Sequence, residues 1–227
     1  MTLKAVAFDL DGTLYPAGAL YIRAWPIALR NLKLARAFDE TRRRVRGTEA
    51  TEACRVAGSA CADELRRLQA DYTAAQLGWS AERVAAQLDE VLYRQVAECF
   101  GTIRPYRGAR EALHRLRDAG LRLAVLSDFP PRRKLELMKL SDLFEVALCA
   151  EESGFLKPAP EPFAMLCSAL GLRADEILYV GNSRRYDLAG AKDFGMPVAI
   201  RAHHAAPGAD LTFSDWKTLT DFVFARR

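Results

Sequence analysis

The apolar positions of the chain fall into two regimes. Residues 5–8, "AVAF", are an uninterrupted apolar run that ends at once in "DLDGT", as a short buried strand does when polar and turn-forming residues stop it. From about residue 18 to residue 100 Ala, Leu, Arg, Glu and Gln dominate and β-branched residues are few, which is helical composition. "SAERVAAQLDEVLYRQVAECF" (80–100) shows it well: Ser80 is placed as an N-cap, and Val84, Leu88, Val91 and Leu92 follow at helical spacing, predicting one helix of a bundle. Beyond residue 105 the two patterns alternate. Helical stretches at 108–120, 131–140, 159–171 and 185–195 separate strand-like ones at 121–128, 144–150, 176–182 and 196–200. Such βα repetition predicts a parallel sheet with helices on its faces. Because the helical block falls between the first and second core strands, the chain reads as an α/β protein. A Rossmann-like parallel-sheet core (1–14 and 105–227) would carry an inserted α-helical cap (15–104).

Composition narrows the function classes. The 227 residues, half of them hydrophobic, suffice for a core domain and a smaller one. The net charge of +4 suits anionic substrates but lacks the lopsidedness of a nucleic-acid binder. No apolar run approaches the roughly 18 residues that a membrane span needs, and the first residues read as strand, not as a leader. The five cysteines are odd in number, scattered and without metal spacing, as expected of reduced thiols in a cytoplasm. The expected partner is therefore a small molecule, with no nucleic acid or membrane, and the chain would act as monomer or homodimer.

Polar residues gather at the ends of the predicted strands. Asp9 and Asp11 follow the first; Ser127 ends "AVLS"; Lys157 lies in "GFLKPAP"; Asn182 and Asp187 lie in "GNSRRYD". Each has an ordinary reading when taken alone, as turn pair, turn serine, solvated lysine or first-turn carboxylate of a helix. In an open α/β sheet, however, the carboxyl ends of the strands converge on one ligand site, and two aimed carboxylates there suggest a metal or phosphoryl centre.

These segments, in this order, resemble the motifs of the haloacid dehalogenase-like hydrolase superfamily, and the helical insertion resembles the cap of its phosphoglycolate phosphatase-like branch. The resemblance implies a Mg²⁺-dependent phosphatase acting on a small phosphorylated metabolite. Asp9 would attack phosphorus to give an aspartyl-phosphate, Asp11 would serve as general acid and base, and Ser127 and Lys157 would hold the phosphoryl group. The Asp9 carboxylate, the Asp11 main-chain carbonyl, Asn182 and Asp187 would hold Mg²⁺. The sequence departs from the family pattern at Asn182, where Asp usually follows Gly, so the loop carries one negative charge fewer. That departure leaves a metal-free 2-haloacid dehalogenase open, beside a phosphosugar mutase and a catalytically weak phospholigand-binding protein. Asp11 argues against the dehalogenase, since attack on a carbon–halogen bond has no use for it.

The remaining charges and rings read as structural. Arg42, Arg43, Arg44 and Arg46 suggest a solvated cap helix face, although one of them could meet a second anionic group on the substrate. Arg132, Arg133, Arg184 and Arg185 read as surface charges, His203 and His204 as a solvated loop, and Trp25, Trp79 and Tyr93 as packing residues.

Overall fold

The structure, a computed structural model, describes residues 2–46 and 61–227. Six parallel strands, β1 (Ala5–Phe8), β2 (Arg122–Ser127), β3 (Val146–Cys149), β4 (Ile177–Gly181), β5 (Val198–Arg201) and β6 (Leu211–Phe213), lie in the order β3-β2-β1-β4-β5-β6. This is the α/β, Rossmann-like architecture that the βα alternation predicts. All four residues of β1 are fully buried, which explains why its sequence is continuously apolar: both faces of a parallel sheet are covered. Val6 and Phe8 point into one core layer with Leu113 and Leu116 of α5 (Ala109–Asp118) and with Trp216 and Leu219 of α9 (Trp216–Phe224). Ala5 and Ala7 point into the other, against Phe163 and Leu166 of α7 (Pro160–Leu170) and Ala191 of α8 (Ala189–Asp193).

Register sets the functional edge. Ala5 pairs with Arg122 on one side and Ile177 on the other, so Phe8 is level with Val125 and Val180. The residues that immediately follow these strands therefore meet at one end of the sheet. β6 was not predicted. It is three residues long and only Phe213 is buried, so its pairing with β5, not its own pattern, makes it a strand.

Between β1 and β2 lie α1 (Ala17–Arg30), α2 (Leu32–Val45), α3 (Cys61–Leu77) and α4 (Ala81–Leu88). Leu34 and Phe38 of α2, Ala70 and Ala74 of α3, and Val84 and Leu88 of α4 form a small core of their own. The Ser80 Oγ accepts from the Arg83 amide at 3.3 Å, the cap expected of it. The single predicted helix is continuous along the backbone but changes pitch: α4 runs into a π-helical stretch, Asp89–Gln95, then Val96–Glu98 and a 3₁₀ turn, Cys99–Thr102.

Two expectations about this insertion are corrected. Trp25, read as a packing residue, is 63% exposed on α1. Arg42 and Arg46, read as part of a solvated face, are both withdrawn from water. Arg42 is buried between Glu151, to which it is paired, and the Phe129 ring, while Arg46 pairs with Asp128. Their alkyl stems and planar heads bridge α2 to the loops at the sheet edge, where carboxylates await them. Arg43, by contrast, is exposed and pairs with Asp39, as a solvated face requires. Cys99, Cys149 and Cys167 are free; Cys54 and the side chain of Cys61 lie outside the described residues. Among the described residues no helix is long and apolar enough to cross a membrane.

Candidate active site

Asp9 lies just past β1, its amide bonded to the Val180 carbonyl of β4. Its Oδ1 accepts from the Lys157 Nζ at 2.8 Å and its Oδ2 from the Thr13 Oγ1 at 2.8 Å. The chain then turns through Gly12, whose φ of +90° is left-handed and whose missing Cβ would lie 2.2 Å from the Asn182 Nδ2. Gly12→Ala is thus expected to displace the Asn182 loop and the Asp11 turn together, cutting turnover by at least about tenfold while leaving the sheet intact. Activity and far-ultraviolet circular dichroism measured on one preparation check it.

Asp11 is held by more donors than Asp9. Lys134 of α6 (Arg132–Leu137) places its Nζ 2.8 Å from both carboxylate oxygens, the Tyr15 hydroxyl donates at 2.6 Å, and the Ser127 Oγ donates at 3.3 Å. Ser127 also accepts the Phe129 amide at 3.2 Å, which fixes its rotamer.

Lys157 is buried, and its Nζ bridges Asp9 and the Asp187 Oδ1, the latter at 2.7 Å, with the Tyr179 hydroxyl accepting at 3.0 Å. Asp187 stands on a π-helical turn, Arg184–Leu188, that Ser183 caps by accepting the Tyr186 amide. The Asp187 Oδ2 accepts the amides of Asn182 and Ser183 at 3.1 and 3.0 Å, and a Cβ on Gly181 would fall 2.4 Å from its Cβ. Asp187 therefore organises the loop and orients Lys157. Asn182 turns its side chain toward Gly12 and lines the cavity together with Asp9.

Burial pushes the Asp9 carboxyl up to about 7, against the pull of Lys157 and with help from Asp187 and Asp11. Burial acts the same way on Asp11, but the Lys134 ammonium overrides it and holds that carboxyl below the usual range. Lys157 is stabilised as an ammonium: burial works against its charge, and Asp187 and Asp9 outweigh it. The two carboxylates of "DLD" thus occupy different electrostatic states although one residue separates them.

Six residues named from the sequence come together here: Asp9, Asp11, Lys157, Asn182 and Asp187 line one cavity of about 390 Å³, and Ser127 touches it through Asp11. Sequence reasoning missed Lys134, Tyr15 and Asp128. The clue to Lys134 was its place in "RRKLELM", one residue before buried Leu135 and four before buried Met138, on the apolar side of a short helix. Arg133 beside it is a surface charge as expected, paired with Glu98. Asp128 accepts the Lys157 amide at 3.2 Å and pairs with Arg46 at 2.7 Å, so it joins the loops after β2 and β3 to α2. Tyr93, read as packing, also lines the cavity while its hydroxyl donates to Glu151 at 3.0 Å.

No three of the described His, Cys, Asp and Glu residues are grouped so as to hold a metal ion. Asp9, Asp11 and Asn182 do line the cavity together, and they bring carboxylate, main-chain carbonyl and side-chain amide oxygens to its lining. All are hard oxygens, the type that suits Mg²⁺ with retained waters.

Residues 3–195 match the family model described as haloacid dehalogenase-like hydrolase. The chain is 31% identical to an N-acetylmuramic acid 6-phosphate phosphatase of Pseudomonas aeruginosa over 98% of its own length and 96% of that protein. It is likewise 31% identical to a phosphoglycolate phosphatase of Rhodospirillum rubrum, covering 97% of this chain and 90% of that one. A 2-haloacid dehalogenase from Pseudomonas syringae superposes over 99% of both chains with a TM-score of 0.69 at 23% identity, a likeness of fold. With a parallel sheet that brings Asp9, Ser127, Lys157 and the "GNSRRYD" loop to one edge, and a family match spanning most of its length, the chain belongs to the haloacid dehalogenase-like hydrolases.

Proposed function

We propose that the chain is a phosphatase that hydrolyses a small phosphorylated metabolite through an aspartyl-phosphate on Asp9, with Mg²⁺ as cofactor. The observation that carries this reading is the pair of carboxylates at the cavity floor, each with its own lysine: Asp9 with Lys157 and Asp11 with Lys134. The full-length relatives named as phosphatases support it. One Asp9 oxygen attacks phosphorus, the P–O bond to the leaving group breaks, and Asp11, which takes up a proton when the phosphate dianion binds beside it, gives that proton to the leaving oxygen and is left as a carboxylate that the Lys134 ammonium stabilises. Asp11 then takes a proton from water, the water oxygen bonds to phosphorus, and the Asp9–phosphorus bond breaks to release inorganic phosphate. Lys157 holds Asp9 in line, while Asp187 holds Lys157. The Asp9 carboxylate, the Asp11 carbonyl and Asn182 would hold Mg²⁺, with Asp187 supporting the loop through the Asn182 and Ser183 amides, and the ion would supply positive charge against the phosphoryl oxygens. Residues 15–104 act as the cap over the core of 1–14 and 105–227. Free Cys99, Cys149 and Cys167 accord with a cytoplasmic setting.

Phosphate release from p-nitrophenyl phosphate, before and after EDTA and after Mg²⁺ is restored, tests the reading. Loss with EDTA and recovery with Mg²⁺ are expected. Asn182 and the Lys157 bridge between Asp9 and Asp187 favour one competing reading, a metal-free dehalogenase. Halide released from a 2-haloacid in EDTA, with no phosphate from any ester, would establish that one. The loop itself is probed by Asn182→Asp, which adds a charge at nearly constant shape. The apparent Mg²⁺ constant should fall roughly five- to thirtyfold, as a gain of about one to two kcal/mol implies, in calorimetry as well as in activity.

A further inference from the structure

We propose that the leaving group this site accepts is an uncharged apolar or aromatic alcohol, and that esters carrying a second anionic group are disfavoured. The inference rests on the phosphatase reading for its chemistry and on the cavity for its selectivity. Above the polar floor the walls are Leu20 and Tyr21 of α1, Leu92, Tyr93 and Val96 of the helix that continues α4, and Phe129. Leu92 and Tyr93 lie in the π-helical stretch Asp89–Gln95, Val96 directly follows it, and all three line the cavity. These walls gain by covering carbon.

A second anion finds no cation free to receive it among the described residues. Three cations line the cavity, and each is engaged: Lys157 by Asp9 and Asp187, Lys134 by both oxygens of Asp11, and Arg46 by Asp128 at 2.7 Å and the Lys157 carbonyl at 3.1 Å. Against them stand four carboxylates, Asp9, Asp11, Asp128 and Asp187. The other arginines of the basic run face elsewhere: Arg42 is held by Glu151, Arg43 by Asp39, and Arg44 lies over the Tyr72 ring. For Arg46 to reach a substrate carboxylate it would have to give up its ion pair with Asp128, leaving that largely buried carboxylate with only the Lys157 amide and the charges of Lys157 and Arg42, which is costly. The arginine that the sequence offered for a second anionic group is thus used to join α2 to the sheet edge.

The test compares benzyl phosphate with 4-carboxybenzyl phosphate, whose leaving alcohols are closely similar, by kcat/KM with Mg²⁺ present. In parallel, calorimetry measures binding of benzylphosphonate and 4-carboxybenzylphosphonate, which needs no turnover. At least about a tenfold preference for the uncharged member is expected in both pairs, about 1.4 kcal/mol. Leu92→Arg and Val96→Lys, each placing a free cation on the wall, should shrink or reverse it; two positions guard against one variant failing to fold. Equal or better handling of the carboxylated member by wild type overturns the proposal, as does absence of phosphonate binding or a preference unchanged in a folded wall variant. If neither ester is hydrolysed but the phosphonates keep the preference, the selectivity stands and the phosphatase reading falls.

Discussion

Asp9→Asn is expected to lower phosphate release by at least about 10⁴-fold, the scale of losing a covalent nucleophile, while the protein melts no earlier than wild type. The second half of that result follows from the site's electrostatics. The folded-state carboxyl of Asp9 is pushed up to about 7, above the ordinary value near about 3.9, so its ionisation opposes folding. The stability that goes with a raised carboxyl is present below the ordinary value and is lost as pH climbs to the folded one. Asn removes that charge without changing the volume, so the variant should match or exceed wild-type stability at pH 8. Lys157 keeps Asp187 as a partner at 2.7 Å. Thermal unfolding at pH 5 and pH 8, beside a phosphate assay, reads both halves. A variant that loses several degrees at pH 8 would show that Asp9 holds the fold as much as it performs chemistry, and more than trace turnover would refute the covalent step.

Lys157→Met should be the most damaging single change to stability in the site. It leaves Asp9 and Asp187 buried and facing each other with no cation between them, and removing one partner of a buried pair typically costs about 3–5 kcal/mol. For a chain of this size that corresponds to a fall in Tm of roughly 10 °C. The pH dependence has a definite sign. Without Lys157 the pull that opposes burial at Asp9 disappears, so its carboxyl rises further, and the variant loses stability as pH climbs and recovers toward wild type in acid. Adding Asp187→Asn should restore part of the stability at neutral pH but none of the activity, since Asp9 would still lack the lysine that aims it. No dependence on pH, or no recovery in the double variant, would contradict the charge argument and leave only lost packing.

The features of this protein that depend on local periodicity are legible in the chain alone. The apolar run 5–8 required a strand covered on both faces, and alternation after residue 105 required a parallel sheet. A parallel sheet in turn brings to one edge whatever follows its strands, which is why Asp9, Ser127, Lys157 and the "GNSRRYD" loop could be named as one site before their distances were known. How the charges are matched emerges only from packing. Lys134 and Asp11 are 123 residues apart, Arg42 and Glu151 109, and Arg46 and Asp128 82, so no periodic pattern within one element could report that they pair. Arg42, Arg43 and Arg46 show the difference within a single helix and its end: similar in sequence, Arg43 meets water while Arg42 and Arg46 meet carboxylates presented by the sheet edge. β6 belongs with them, because a three-residue strand exists only by virtue of the neighbour it pairs with. Burial is written into a chain residue by residue, whereas the partner that makes a buried charge tolerable lies on another element and is settled only when the elements pack.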